Sequence, residues 1–456
     1  MRRSILLVWL LAGAVWVAGA APQQTKLIVE TESPDDITRI STQYGVNVVQ
    51  TVREKESNIY VVSAPSQTSS TTAAAIQADV SVRSLSSDDD VEISENQTSS
   101  HHAATLDPLT PDLLSSNTMT YFGSVVRSGY VQQNGTALIE LAQTQQQFPT
   151  GNNIVAVIDT GVDPNHPALA NVLVPGYDFV HNVAGFASEL ADLNQSTVAI
   201  LDQSTVAILD QKNSPLVLNQ STVAILDQST VAILDGQQLP EEFGHGTMVS
   251  GLIHLVAPTA SIMPLKAFQS DGTAELSNIV AAIYYAVDHG ARVINMSFST
   301  TTKEPALQQA IAYAASHGVI SIASAGNQGR EMTVYPAGFQ GVIGVGSTNK
   351  NDLRSPFSNY DSDAIRLAAP GEALVTTYPG NNYAAVWGTS FSSALVSGAS
   401  ALVTDVVPLA SSGYTIQAFD QGPHINQDVG DARLDLLPTL QYCLTQPYSQ
   451  QKENDE

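Results

Sequence analysis

Apolar residues downstream of position 151 fall into short continuous runs, separated by stretches with helical spacing. The runs are IVAVID (154–159), SIMPLKAF, RVINMSF, VISIASA and GVIGVGS, each typical of a strand that is buried on both faces of a sheet. Two intervening stretches, LSNIVAAIYYAVDHG and PALQQAIAYAASHG, end on a glycine that suits a helix C-cap. The alternation predicts an α/β domain over residues 113–443, built on a doubly wound, mostly parallel sheet.

Residues 25–95 follow a different pattern, with predicted elements in the order strand, helix, strand, strand, helix, strand. TKLIVETE is the first strand and VRSLSSDDDVEIS the closing one. The order βαββαβ predicts a small α+β sandwich, a fold that binds many kinds of partner. Residues 96–112 are polar and irregular, which indicates a linker. His101 and His102 in this stretch could bind a metal, although adjacent histidines in a flexible segment are usually solvated.

The first twenty residues have the pattern of a secretory signal. Arg2 and Arg3 precede an apolar run at 5–17, and Ala18-Gly19-Ala20 has the small residues of a cleavage site. We therefore predict residues 1–20 to be a signal peptide and the protein to be secreted. The alternative is an uncleaved anchor, but the run is shorter than the ~20 residues that a membrane span needs. No stable membrane anchor is expected.

One segment interrupts the strand–helix alternation. QSTVAILD occurs four times without a mismatch, at 195–202, 203–210, 220–227 and 228–235, inside an insert at 193–236. Its Val, Ile and Thr favour strands, which predicts a hairpin stack or a solenoid. Short helices starting at DQST are the alternative. Residues 444–456 form a polar tail.

Charge and cysteine content narrow the functional classes. The 456 residues include 43 acidic and 18 basic side chains, for a net charge of −25. Such a surface argues against nucleic acid or anionic membranes as the main partners. Cys443 is the single cysteine, so internal disulfides do not stabilise the chain, and we expect this thiol to be a buried packing residue.

Four residues have the types and positions that serine attack on a carbonyl requires: a nucleophile, a base, an orienting acid and an oxyanion donor. Asp159 ends the strand IVAVID, and His245 lies between glycines in GHGTMVSG. Asn327 ends the predicted strand SIASAGN, and Ser390 opens the small-residue helix SFSSALVSGASALV. Each of these residues alone is weak evidence for a catalytic site, because, for example, an aspartate after a strand is usually a cap or turn residue. Their order and their positions at strand ends and helix starts make the set specific.

The chain resembles the subtilisin-like serine proteases, the subtilase family, over most of residues 120–440. The resemblance lies in VAVIDTGVDPNHP, GHGTMVSG, VAPTASIMPLKAF, VINMSF, ASAGNQG, YPAGFQGVIGVGS and GTSFSSALVSGASALV. It implies that Asp159 orients the base, that His245 is general base and then general acid, and that Ser390 is the nucleophile. Asn327 is implied as the oxyanion donor. Ser392 and Ser393 are then packing residues.

The resemblance also implies partners. Residues 25–95 correspond to a propeptide, an intramolecular inhibitor that blocks the cleft with its C-terminal strand. Protein or peptide substrates would lie as an extended strand between two backbone edges. One edge is Gly272, Thr273 and Ala274, and the other is Ser297, Phe298 and Ser299.

The chain departs from the family pattern at several positions. Ala274 and Ser299 stand where glycine is usual, which puts the outer substrate contacts in doubt. Ala394 replaces a proline and Met248 a second histidine, neither of which transfers protons.

No cofactor is expected. Ala168 occupies the position of an aspartate in the family's high-affinity calcium site, and the segment after His245 is too short for the calcium loop. Weak calcium binding by other acidic loops remains open.

Val334 precedes the Tyr335-Pro336 pair that lies near the floor of the S1 pocket in the family. A branched side chain there, with neutral Gln328 nearby, predicts small or medium apolar P1 residues. The alternative is that Val334 packs away from the pocket.

The function expected from the sequence is a secreted serine endopeptidase made as a zymogen. Two alternatives stay open: a non-catalytic peptide-binding homologue, and an adhesive homologue in which the repeats carry the function.

Overall fold

A computed structural model describes residues 25–52, 58–64, 69–93, 106–113, 115–148, 150–193, 224–225, 240, 242–425 and 429–446. The predicted signal peptide, His101 and His102, and the tail from residue 447 lie outside these residues. Most of the repeat insert also lies outside them, so the predicted hairpin stack or solenoid stays a prediction. Two residues of the third repeat form a short strand, β11 (Ala224–Ile225).

The N-terminal domain has its elements in the predicted order. They are β1 (Thr25–Thr31), α1 (Asp36–Tyr44), β2 (Asn47–Thr51), β3 (Ile59–Ala64), α2 (Ser69–Gln77) and β4 (Val82–Ser87). The four strands form one sheet in the order β2-β3-β1-β4. Alternate side chains of β1 face opposite ways: Leu27 and Val29 enter the domain's own core, whereas Ile28 packs in a cluster shared with the larger domain.

The prediction that VRSLSSDDDVEIS forms one closing strand is wrong. The chain leaves the sheet after β4 and forms a separate strand, β5 (Asp90–Glu92). β5 pairs antiparallel with β13 (Thr273–Glu275) of the larger domain. The break occurs at the run of three aspartates, where Asp88 bonds to a helix of the larger domain.

The predicted parallel sheet is confirmed in the larger domain. Its eight strands have the order β10-β9-β12-β8-β14-β15-β16-β17. Their bounds are β8 (Ile154–Asp159), β9 (Gly176–Asp178), β10 (Val183–Gly185), β12 (Ser261–Lys266), β14 (Ala291–Met296), β15 (Ile320–Ser324), β16 (Val342–Thr348) and β17 (Ile365–Pro370). All pairs are parallel except β10 with β9.

Helices cover both faces of this sheet. They are α3 (Ser128–Val131), α4 (Asn134–Leu138), α5 (Leu141–Gln147), α6 (His245–Val256), α7 (Leu276–Asp288), α8 (Pro305–Ser316), α9 (Thr389–Val406), α10 (Ser412–Phe419) and α11 (Leu436–Thr445). Val155 and Val157 of β8 pack in the cluster that contains α6 and α9, and Ala156 and Ile158 in the cluster that contains α7 and α8. A strand buried on both faces therefore needs the continuous apolar run seen in the sequence.

Two hairpins complete the fold. One pairs β6 (Thr118–Tyr121) with β7 (Ser124–Arg127), and the other pairs β18 (Leu374–Tyr378) with β19 (Asn382–Val386). β11 (Ala224–Ile225) pairs antiparallel with β19. Cys443 is buried in α11, as expected. Within the described part of the chain, no helix has both the length and the apolar character required to cross a bilayer.

Candidate active site

Asp159 is the last residue of β8, which lies between β12 and β14 in the sheet. The strands that follow β8 in sequence are added first on the β12 side and then on the β14 side. Its Oδ1 accepts the Thr160 N–H at 2.8 Å and contacts His245 Nδ1 at 2.7 Å. The two side chains are 1% and 0% exposed. Because an ionised carboxylate only accepts hydrogen bonds, Nδ1 carries the proton of this contact. In a neutral imidazole, Nε2 is then the nitrogen that can take a proton.

His245 begins α6, and glycines on both sides allow it to approach the aspartate loop. Gly244 has φ 95°, a left-handed conformation that favours glycine. A Cβ on Gly246 would lie 2.0 Å from the Gly161 carbonyl oxygen. The helix can therefore start against the loop after Asp159 only with glycine at 246.

Ser390 is the second residue of α9 and is 2% exposed. Its hydroxyl donates to the Ser297 carbonyl at 3.3 Å. The ring of the next residue, Phe391, lies 5.7 Å from the His245 ring. Ser392 and Ser393 both donate to main-chain carbonyls, Ser393 to that of Ser390 at 2.8 Å. Because Ser390 is at the helix start, its backbone N–H is free of the helical ladder.

Asn327 lies in the loop after β15 and is tied to the same helix. Its Oδ1 accepts both the N–H and the hydroxyl of Thr389 at 2.9 Å. Since the carbonyl side of the amide is fixed by Thr389, the NH₂ side is the part that can donate to a bound group. The structure thus brings all four predicted residues to one end of the sheet. Asp159 and His245 are hydrogen-bonded to each other, and the Asn327 amide is held by Thr389, the residue before Ser390.

Comparison with known proteins agrees with this geometry. A family model described as "Subtilase family" matches residues 151–419, a span that holds all four residues. The chain belongs to the subtilase family. This subtilase is a serine-type endopeptidase, as the sequence motifs predicted.

Named relatives are proteases. Thermitase of Thermoactinomyces vulgaris is 31% identical over 282 residues, which are 60% of this chain and 82% of thermitase. A thermophilic serine proteinase of Bacillus sp. (strain AK1) is 32% identical over 249 residues, 55% of this chain and 51% of that protein. The structure of fervidolysin from Fervidobacterium pennivorans aligns over 92% of this chain and 61% of that chain, with a TM-score of 0.66. Its sequence identity is 20%, so it shows a shared fold.

The predicted substrate edges occupy two different settings. Thr273 and Ala274 lie in β13, directly after Gly272, and β5 of the N-terminal domain already pairs with them. The Ile93 N–H donates to the Gly272 carbonyl at 2.9 Å and extends this pairing. On the other edge, Phe298 is fully buried with its ring 5.0 Å from that of Phe268. The Phe298 side chain is therefore a packing group of the apolar core.

The remaining predicted residues of that edge and pocket lie close by. Ser297 is 1% and Ser299 9% exposed. Val334 is 3% exposed, in the apolar cluster that includes Phe298 and Ala337. The Tyr335–Pro336 bond is cis. The role of Val334 in selecting the P1 residue stays a prediction.

The calcium expectation also stays a prediction. Ala168 is 2% exposed, and α6 runs without interruption from His245 to Val256. In the parts that the structure describes, no group of three or more His, Cys, Asp or Glu side chains is arranged to hold a metal ion.

Asp88 and Ser86 of the N-terminal domain bond to the starts of two helices of this subtilase. Asp88 accepts the N–H and the hydroxyl of Ser277, at 2.8 and 2.9 Å, in the first turn of α7. The Ser86 hydroxyl accepts the Ala306 N–H at 3.0 Å, in the first turn of α8. These bonds satisfy donors that the two helices leave without internal partners. Sequence reasoning missed them, because they join residues 189 and 220 positions apart.

The segments before and after the repeat insert both bond to Ser270. Asp192 Oδ2 accepts the Ser270 N–H and hydroxyl at 2.7 and 2.8 Å on one side. The Glu242 N–H donates to the Ser270 carbonyl at 3.0 Å on the other. Ser270 lies two residues before Gly272, so the insert leaves and re-enters the fold beside the predicted substrate edge.

A buried carboxylate beside the acid–histidine pair had no signal in the sequence. Glu189 is 0% exposed and begins a 3-10 helix, Glu189–Asp192. Burial raises the pKa of Glu189 to about 7, and the nearby Asp159 charge adds to the effect. Neither hydrophobic periodicity nor a motif distinguishes this glutamate from an ordinary loop residue.

Proposed function

We propose that this subtilase is a secreted endopeptidase made as a zymogen and active on protein or peptide substrates. Ser390 is the nucleophile, His245 the general base and then acid, Asp159 the orienting acid and Asn327 an oxyanion donor. The observation that most supports these roles is the buried 2.7 Å contact between Asp159 and His245, at the same sheet edge as the start of the Ser390 helix.

Acylation begins with proton transfer. Rotation of the Ser390 side chain exchanges its 3.3 Å bond to the Ser297 carbonyl for one to His245 Nε2. The imidazole takes the proton as Oγ attacks the scissile carbonyl, and Asp159 stabilises the imidazolium through the Nδ1–H bond. His245 then gives the proton to the leaving amine, and water cleaves the acyl-enzyme by the same steps in reverse.

The oxyanion of each tetrahedral intermediate lies between two donors in this proposal. One is the Ser390 backbone N–H at the start of α9, and the other is the Asn327 amide, which Thr389 orients. Fixed donors in a water-poor site stabilise developing charge without reorganising.

The N-terminal domain acts as the intramolecular inhibitor in this proposal. β5 pairs with β13, and Val91 and Ile93 are buried in the cluster that also contains Leu276. The Lys26 ammonium forms an ion pair with Glu275 at the end of β13. These contacts support a domain that covers a substrate edge until it is removed.

Secretion is supported by the signal-like residues 1–20. The test of the zymogen proposal is mass spectrometry of the N-terminus of the protein exported from a protease-deficient host. We expect the wild type to lose both the signal and the N-terminal domain. Ser390→Ala should lose the signal alone, because maturation in this proposal is autocatalytic. Complete processing of Ser390→Ala would contradict it.

A further inference from the structure

The Glu189 carboxylate contacts two segments that carry the acid and the base. Oε1 accepts the Thr160 hydroxyl at 2.8 Å and the Thr247 N–H at 3.1 Å. Oε2 accepts the Thr247 hydroxyl at 2.8 Å. Thr160 follows Asp159, and Thr247 lies two residues after His245. The carboxylate therefore bridges the loop after β8 and the first turn of α6.

The Thr160 hydroxyl extends this bridge to the catalytic pair. It accepts the Gly246 N–H at 3.0 Å and donates to Glu189 Oε1 at 2.8 Å. The Thr160 N–H in turn donates to Asp159 Oδ1 at 2.8 Å. A shift of Glu189 would therefore move the residue after the acid and the residue after the base together.

Several other charged groups surround this bridge. The ammonium of buried Lys266 donates to the Thr160 carbonyl at 2.8 Å, but its carboxylate partner is Asp192, at 2.7 Å. The Asp163 N–H donates to the Thr247 hydroxyl at 2.8 Å, and the Asp163 carboxylate is held by the Gly380 N–H at 2.9 Å. Tyr378 is buried, and the Glu189 charge contributes to its raised pKa. The hydrogen bonds that the Glu189 carboxylate accepts, among the described residues, come from neutral threonine groups.

We propose that Glu189 is a positioning residue that keeps Asp159 and His245 aligned with each other. Through its charge, Glu189 also makes the His245 imidazole more basic. This inference rests on the proposed roles of Asp159 and His245. A negative charge near the imidazole stabilises its protonated form. Because burial raises the pKa of Glu189 to about 7, this charge changes in the pH range where an imidazole also titrates.

The test compares Glu189→Gln, Glu189→Ala and the wild type in kcat/KM against pH. Glutamine removes the charge and keeps one oxygen to accept the Thr160 hydroxyl and the Thr247 N–H, while its NH₂ replaces the oxygen that accepts the Thr247 hydroxyl. We expect Glu189→Gln to move the acid limb of the profile to lower pH by about half a unit to one unit, with KM unchanged. Glu189→Ala should also lower kcat about tenfold at all pH values, because the bridge is lost.

A titration of the His245 imidazole by NMR, in the inactive Ser390→Ala protein with and without Glu189→Gln, should give the same shift without turnover. Asp435→Asn, at a buried carboxyl directly before α11, is the matched control and should leave both readouts unchanged. If Glu189→Gln does not fold, Thr160→Val against Thr160→Ser tests the bridge. Valine should lower kcat with KM unchanged, and serine should restore it.

The outcomes distinguish the role of Glu189 from the proposed roles of Asp159 and His245. An acid limb and a His245 titration that do not move in folded Glu189→Gln would overturn the role of Glu189 alone. Equal kcat for Thr160→Val and Thr160→Ser would overturn the bridge. A wild-type protein without peptide hydrolysis would instead overturn the proposed roles of Asp159 and His245.

Discussion

The contact between Asp88 and the start of α7 gives the most quantitative prediction about inhibition by the N-terminal domain. Asp88→Ala removes the acceptor of two bonds, from the Ser277 N–H and hydroxyl at 2.8 and 2.9 Å. Ser277 is 0% exposed, so its N–H would lose its partner while buried. Loss of an N-terminal capping acceptor costs about 0.5–2 kcal/mol.

The expected magnitude lies near the middle of that range. Burial raises the pKa of Asp88, which means that desolvation of the carboxylate offsets part of what its bonds contribute. A net loss of about 1 kcal/mol corresponds to about fivefold weaker inhibition.

The assay adds residues 21–95 as a separate polypeptide to the mature enzyme and measures the inhibition constant with a chromogenic peptide. Asp90→Ala is the matched control, because Asp90 is exposed and its main chain alone pairs with β13. A double-mutant cycle with Ser277→Ala in the enzyme isolates the bond from the Ser277 hydroxyl, because alanine keeps the backbone N–H. An inhibition constant for Asp88→Ala within twofold of that for Asp90→Ala would refute this reasoning.

Four further predictions follow from the site and its surroundings. Asn327→Ala should lower kcat about 10²–10³-fold with nearly unchanged KM, the loss known for the oxyanion asparagine of a subtilisin; an unchanged kcat would contradict the oxyanion role. Deleting 195–235 should leave hydrolysis of short peptides intact and change cleavage of large proteins, and loss of both activities would show that the insert belongs to the core. EDTA should leave the melting temperature nearly unchanged, whereas a large fall would indicate a structural calcium site. In a P1-varied peptide library the wild type should prefer Ala, Val or Leu, and Val334→Gly should admit larger residues, discriminated about 10–200-fold by the wild type; a wild-type preference for Phe would contradict this.

The parts of the fold that sequence reasoning predicted are those set by local pattern. β8, β12, β14, β15 and β16 are continuous apolar runs, because both faces of a central strand are covered. Asp159, His245 and Ser390 were found because glycine-rich starts and strand ends mark the carboxyl edge of such a sheet.

The parts that it missed depend on distant partners. Asp88 belongs to an acidic run that the sequence pattern placed inside a single closing strand, and its role as a cap arises from a helix 189 positions later. Glu189 is polar in a short 3-10 turn, where nothing in the local sequence indicates burial. The backbone of its segment packs closely against the loop after β8, where a Cβ on Gly161 would lie 2.9 Å from the Glu189 backbone nitrogen.

Labelling with a fluorophosphonate tests the central claim most directly, because the probe reacts with a serine only when a base and an oxyanion site activate it. The mature protein should take up one equivalent, which peptide mass spectrometry should locate on Ser390, with no uptake by Ser390→Ala. His245→Ala should lower the labelling rate by several orders of magnitude, while the Asp435→Asn control labels at the wild-type rate. A mature protein that takes up no probe, or one labelled at Ser392 or Ser393 instead, would contradict the assignment of Ser390 as the nucleophile.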